Sequence, residues 1–104
     1  MFLLFRKEFH DPIRSGAKRQ TIRFWKQRCV SPGGHLYSPR LGKFLITAID
    51  EIDPADLSDA DARLDGLPSL AALHDKLIEL YGAIRPPGRK CYKLTFQFLG
   101  PKPT

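Results

Sequence analysis

Helical patterning in this chain is gathered almost wholly into one block. Between residues 54 and 81 the apolar side chains recur every third or fourth position, while most of the remainder alternates in twos or is broken by turns. Leu70, Leu73, Leu77 and Leu80 mark one face of a helix predicted over residues 70–81, opened by Ser69 and stopped by Gly82. Residues 90–99 alternate strictly, with Tyr92, Leu94, Phe96 and Phe98 inward and Lys93, Thr95 and Gln97 outward. A doubly wound sheet needs strand and helix in alternation, and this order does not supply it. The pattern predicts an α+β fold: a pseudo-barrel of about five to six strands with short helices packed on its side.

The other strands are read from shorter runs. Residues 2–5 read as a buried first strand, 19–25 as a second and 35–38 as a short third. Residues 43–52 form the longest strand of the first half. Phe44, Ile46, Ala48, Asp50 and Ile52 are expected on one face, and Leu45, Thr47, Ile49 and Glu51 on the other. Apolar residues on both faces imply a wall covered by helix on one side. Asp11 and Pro12 read as the cap and first residue of a one- to two-turn helix that ends at Gly16, with Phe9 and Ile13 facing inward. Short capped turns are expected at 53–57 and at 58–64, the second opened by Ser58. Nine prolines and eight glycines in 104 residues fit short elements joined by many turns. The length is that of one domain, residues 1–104.

Several function classes are excluded. The apolar start, residues 1–5, is too short for a secretion signal, and its basic residues lie on the wrong side. No apolar run approaches the roughly 20 residues needed to cross a bilayer, so no membrane partner and a cytoplasmic location are expected. Cys29 and Cys91 share no C-x-x-C spacing and are expected as reduced thiols. His10, His35 and His74 have no ligand spacing with them, so no metal and no cofactor are expected. Neither glycine-rich phosphate loop motif is present.

The net charge of +6 is unevenly spread. Residues 1–49 hold ten Lys or Arg against two acids, residues 50–84 two against nine, and residues 85–104 five against none. The basic ends favour a phosphate-bearing partner, unless the acidic middle neutralises them in space.

The densest basic strand is Gly16-Ala17-Lys18-Arg19-Gln20-Thr21-Ile22-Arg23-Phe24-Trp25. On a strand Thr21 and Arg23 share a face and Arg19 joins them, while Lys18 lies in the turn before. Asp65 precedes a glycine in the helical block. A hydroxyl near an amine and a carboxylate is sufficient for a nucleophile with a base and a stabilising cation. The same residues also suit a solvated strand face, with Asp65 capping a turn.

The run from Gly16 to Arg23 resembles the G-x-K-x-x-T-x-R signature of the ASCH domain, a branch of the PUA-like superfamily. Pro32-Gly33-Gly34, the strand at 43–52, the segment 61–67, the helix ending in Leu80-Tyr81 and the strand Tyr92-Lys93-Leu94-Thr95-Phe96 follow in that family's order. The resemblance implies a pseudo-barrel with a cleft beside the first motif, and RNA or a modified nucleoside as partner. Some small bacterial ASCH proteins are amidohydrolases that deacetylate acetylated cytidine, and a ribonuclease has been described. Carried over by motif position, a catalytic group would fall on Lys18, Thr21 and Asp65, with aspartate standing where those amidohydrolases carry glutamate. In the binding reading, Arg19, Arg23, Lys26, Arg28 and Arg40 would contact phosphate, and Trp25 or Tyr37 would stack on a base. An RNA- or nucleoside-binding domain is the first expectation, and a small hydrolase the alternative.

Overall fold

The computed structural model describes residues 3–83 and 86–101. Phe2 of the expected first strand, two residues of the loop after the long helix and residues 102–104 of the tail lie outside them. The fold is built on four antiparallel strands: β1 (Gln20–Trp25), β2 (His35–Ser38), β3 (Gly42–Ile52) and β4 (Lys90–Gly100). Their order across the sheet is β1-β4-β3-β2, so the strand latest in the chain fills a central position. The sheet curls into a half-barrel with three helices: α1 (His10–Ser15), α2 (Asp59–Leu64) and α3 (Leu70–Tyr81). The α+β expectation stands, and four strands replace the five to six expected among the described residues.

The missing strand is the first one. Leu3 donates one backbone hydrogen bond to the carbonyl of Tyr37 at 2.8 Å. The chain then leaves that edge and winds into a 3-10 turn, Lys7–Phe9, which runs on into α1. One ladder bond among the described residues is too few to make a strand. The helix start also differs from expectation. Phe9, and not Asp11, occupies the N-cap, so Asp11 and Pro12 lie inside the first turn of α1. Gly16 closes α1 at φ 85°, a conformation that glycine adopts without strain.

The face assignment along β3 is corrected by a bulge. The pairing with β4 shifts between Ile46 and Ala48, which leaves Thr47 as the extra residue. Alternation therefore switches sides there. Ile46 pairs with Phe96, and beyond the shift Ile49 pairs with Leu94. Phe44, Ile46 and Ile49 thus face one core with Leu36, Tyr92, Leu94 and Phe96, while Ile52 faces another. The apolar residues on both expected faces are two half-patterns joined by one inserted residue. A bulge also raises local twist and bends its strand, which helps the sheet to curl.

The two cores lie on opposite faces of the sheet. The inner one collects Phe9 and Ile13 from α1 with Phe44, Leu94 and Phe96. The outer one collects Ile22, Phe24 and Cys91 with Leu73 and Leu77 of α3 and Ala62 of α2. Register fixes which side chains of β1 go where. Thr21 pairs with Leu94 and Arg23 with Tyr92, so both point to the inner side, while Ile22 and Phe24 pack outward under the helices. Among the described residues no helix is long and apolar enough to cross a membrane. No disulfide joins Cys29, which is exposed, to Cys91, which is buried.

Candidate functional site

The site begins with two turns that face each other. After Gly16 the chain doubles back, and the Lys18 N–H donates to the carbonyl of Pro12 at 3.0 Å. The Arg19 N–H then donates to Leu64 at the end of α2, at 2.8 Å. Helix α2 is held at its start by a capping box. The Ser58 hydroxyl accepts from Asp61 N–H, and the Asp61 carboxylate accepts from Ser58 N–H. Its last turn ends at Asp65, followed by Gly66 at φ 84°. A β-carbon on Gly66 would lie 3.3 Å from Cβ of Lys18, so this glycine lets the lysine stem lie flat against the turn.

Lys18 is 2% exposed and Asp65 5%. Lys18 Nζ donates to the Asp65 carboxylate Oδ1 at 2.7 Å, to the Asp65 carbonyl at 2.7 Å and to the Gln20 carbonyl at 3.1 Å. Those three bonds use every proton of the ammonium. The second carboxylate oxygen, Oδ2, accepts no hydrogen bond among the described residues. The ammonium also lies over the Phe9 ring, 4.5 Å from its centroid.

Burial pushes the Lys18 ammonium below the ordinary lysine range, and Asp65 holds it up against that pull. Burial likewise pushes the Asp65 carboxyl up, opposed by Lys18 and Arg23. Desolvation outweighs the mutual attraction in both residues. A buried pair of this kind gives little net stability compared with apolar packing of the same volume.

Thr21 and Arg23 complete the wall. Arg23 Nε donates to Thr21 Oγ1 at 3.3 Å and Nη2 to the carbonyl of Leu4 at 2.7 Å. Its guanidinium lies 5.0 Å from the centre of the Phe5 ring. Lys18, Thr21, Arg23 and Asp65 all line one cleft of about 180 Å³, closed by Phe5, Phe9, Leu80 and Tyr81. That is below the roughly 300–1,000 Å³ of pockets for larger ligands, so the cleft suits one ring or a small acyl group. Its rim carries a network of ion pairs between the N-terminal segment and α3. Arg6 meets Glu79 at 2.7 Å, and Lys76 meets Glu8 at 2.7 Å and Glu79 at 2.9 Å.

The remaining expected site residues lie elsewhere. Arg19 is exposed and lines a second depression with Arg14 and Phe98, which Lys18 also borders. Trp25 is half-buried and packs on Tyr92, with ring centres 5.7 Å apart. Lys26 and Arg28 are exposed on the loop after β1, where Arg28 Nε donates to the carbonyl of Val30 at 3.1 Å. Tyr37 and Arg40 line a third depression beside the β2–β3 turn. Sequence reading missed Phe5 and Tyr81 as cleft walls. Their signal is weak, since an aromatic residue in an apolar run or at a helix end reads equally well as core. Among the described residues no group of three or more His, Cys, Asp or Glu is placed to hold a metal.

Neither the family models nor the curated proteins contain a match to this sequence. The structure does have close counterparts. It superposes on the crystal structure of an ASCH domain from Lactobacillus crispatus JV V101 with a TM-score of 0.76, over 96% of this chain and 78% of that one, at 13% identity. The fold is that of an ASCH domain. The ASCH fold is also similar, at a TM-score of 0.64, to a protein from Enterococcus faecalis V583 of the family DUF984. That likeness covers 89% of this chain and 71% of the other at 14% identity. Within the ASCH fold of this chain, the G-x-K-x-x-T-x-R segment forms the turn and the edge strand β1 that wall the cleft. The aspartate at position 65 reaches Lys18 despite its shorter side chain, because the last turn of α2 brings both its carbonyl and its carboxylate to the ammonium.

Proposed function

We propose that the Lys18–Asp65 cleft binds a nucleobase, either of a modified nucleoside or of an RNA strand. The observation that carries this reading is the buried ion pair with one open acceptor, Asp65 Oδ2, in a small cleft walled by aromatic rings. An exocyclic N–H of a base would donate to that oxygen. The Thr21 hydroxyl would take or give a second hydrogen bond, and Phe5 and Tyr81 offer apolar faces. Arg23 and Arg6 at the rim suit the ribose or phosphate that must remain outside. The test is a titration with cytidine, acetylated cytidine and short single-stranded RNA at low salt. Affinity for at least one of these, lost in Thr21→Val and Asp65→Asn, is the expected result. No affinity for any of them, or affinity that both variants retain, overturns the reading.

A second reading, hydrolysis, is favoured by the opposed shifts of the pair. With Asp65 pushed up and Lys18 pushed down by burial, a proton moves between the site and a substrate at less cost than for either group in water. Hydrolysis of an acetylated amine adds one water across the C–N bond and releases acetate and the free amine. Asp65 Oδ2 would take the proton from the attacking water and return it to the leaving nitrogen. Lys18 would hold that carboxylate in place, and Arg23 with the Thr21 hydroxyl would steady the developing oxyanion. Acetate release from acetylated cytidine that disappears in Asp65→Asn supports this reading. Absence of both acetate release and RNA cleavage removes it and leaves the binding reading intact.

A further inference from the structure

Strand β1 ends the sheet, with β4 on one side and no strand among the described residues on the other. In an antiparallel pair, opposed residues alternate between exchanging both main-chain hydrogen bonds and exchanging none. The Phe96 N–H donates to the Arg19 carbonyl at 3.0 Å, which fixes the phase of that alternation. Followed through the register, Thr21 then bonds with Leu94 and Arg23 with Tyr92. The main chain of Gln20, Ile22 and Phe24 is turned away from β4, toward the open edge. Gln20 bears this out, because its carbonyl accepts from Lys18 Nζ at 3.1 Å. The lysine takes the place of a neighbouring strand there. One step along the same edge, the Ile22 N–H and carbonyl have no hydrogen-bond partner among the described residues. Ile22 is only 4% exposed. Buried main-chain groups in folded proteins are nearly always paired, so this donor and acceptor call for a partner.

The Lys18 cleft is the place for it. Thr21 and Arg23 line the cleft from the inner face of β1, while Ile22, Leu77 and Tyr81 line it from the outer one. A hollow lined from both faces of an edge strand runs along that edge, so the N–H and carbonyl of Ile22 open into it. In an extended residue these two groups point the same way and stand side by side. Their complement is a hydrogen-bond acceptor directly beside an N–H donor. In a small cleft walled by the Phe5 and Tyr81 rings, a flat group that offers both is a ring nitrogen next to an amino group.

We infer that the main chain of Ile22 reads the ligand of this cleft, and that the ligand carries the edge of an amino-substituted nitrogen heterocycle. The Ile22 N–H donates to the ring nitrogen, and the Ile22 carbonyl accepts from the amino group. The ligand thus joins the sheet edge as a short added strand would. The inference rests on the preceding reading in taking this cleft as the ligand site, and it adds a specificity-determining contact that no side chain there supplies.

Amide NMR of the whole chain tests it without a nucleoside. In the free protein the Ile22 amide should exchange with deuterium about tenfold faster than those of Thr21 and Arg23, which are bonded to β4. Millimolar 2-aminopyrimidine should shift the Ile22 amide signal more than any other in β1 and slow its exchange. Pyrimidine, which lacks the donor, and aniline, which lacks the ring acceptor, should do neither. Ile22→Val, which keeps the main chain, should respond to 2-aminopyrimidine as the parent does. An Ile22 amide that exchanges as slowly as its neighbours in the free protein, or that 2-aminopyrimidine leaves unmoved, would overturn the inference even if cytidine binds. So would an equal response to all three probes. If 2-aminopyrimidine engages Ile22 while cytidine, acetylated cytidine and RNA do not bind, the preceding reading falls and this one stands.

Discussion

Lys18 meets Asp65 twice, through its carboxylate and through its backbone carbonyl, across 47 residues of sequence. The two bonds are of equal length, 2.7 Å. The lysine is therefore bound to the end of α2 as a backbone cap as well as to an opposite charge. The second carboxylate oxygen accepts no hydrogen bond among the described residues.

This double attachment ranks two substitutions. Lys18→Met strips hydrogen bonds from two backbone carbonyls and a buried carboxylate, and should cost about 3–5 kcal/mol. Asp65→Asn keeps an oxygen toward the lysine and the backbone bond, and should cost less. Urea unfolding of both variants measures the difference. A larger loss for Asp65→Asn would mean that charge pairing, and not capping, holds the two turns together.

The same variant has a pH signature. Without the carboxylate charge, the pair opposes much less of the desolvation that pushes the Lys18 ammonium down. The folded state then sheds this proton at lower pH than the unfolded chain, whose lysines titrate near pH 10. Between those two values the unfolded state binds more protons, so stability rises with pH. Thermal melts of Asp65→Asn from neutral pH towards pH 10 should climb relative to the parent. A flat or falling difference would show that Lys18 keeps its proton throughout.

Gly66 and Gly82 separate backbone strain from crowding. Both have positive φ, but a β-carbon at Gly66 meets the Lys18 stem at 3.3 Å, whereas none of the described residues lies within 4 Å of one at Gly82. Alanine at either position should cost about 1–2 kcal/mol for the left-handed backbone. Gly66→Ala should also disturb Lys18 and weaken ligand binding, while Gly82→Ala should not. Equal binding by the two variants would remove Gly66 from the support of the cleft.

Asp61 predicts the acid limit of the fold. Burial pushes its carboxyl up, but bonds from Ser58 N–H, the Ser58 hydroxyl, Gln20 and Lys93 outweigh that and hold it below the ordinary carboxylate range. As pH falls below about 4 the unfolded chain takes this proton first. The stabilisation is present above that value and is lost as pH drops through the folded one. Asp61→Asn should therefore flatten the fall in melting temperature below pH 4. An unchanged acid limb would assign the loss to other carboxylates.

Much of this fold is legible in the sequence because its signals are local. The alternation from Tyr92 to Phe98, the Ser69 and Gly82 ends of α3 and the Ser58–Asp61 box depend only on neighbours in the chain. What escapes is set by pairing. Thr47 looks like any outward residue until the register with β4 skips it, leaving its hydroxyl to donate to the Thr95 carbonyl. Leu3 looks like a strand residue, but makes a single bond to the β2 edge. The candidate site divides in the same way. Lys18, Thr21 and Arg23 lie close together in sequence and could be read as one wall. Asp65 required the motif order, and Phe5, Phe9 and Tyr81 are brought to the cleft by packing. The basic residues from Arg19 to Arg40 look like one surface when read along the chain. The curled sheet distributes them over at least three places.

The position of β4 between β1 and β3 has a consequence for how the protein is made. Gln20 finds its partner in Thr95, and Ile52 finds its own in Cys91. A nascent chain that has not yet extended through residues 90–100 can form the β2–β3 hairpin, but has no place for β1. The basic edge strand and its lysine must then wait, unpaired, until nearly all of this chain has left the ribosome. Contacts of such long sequence separation form slowly, so the cleft is among the last features of the molecule to exist.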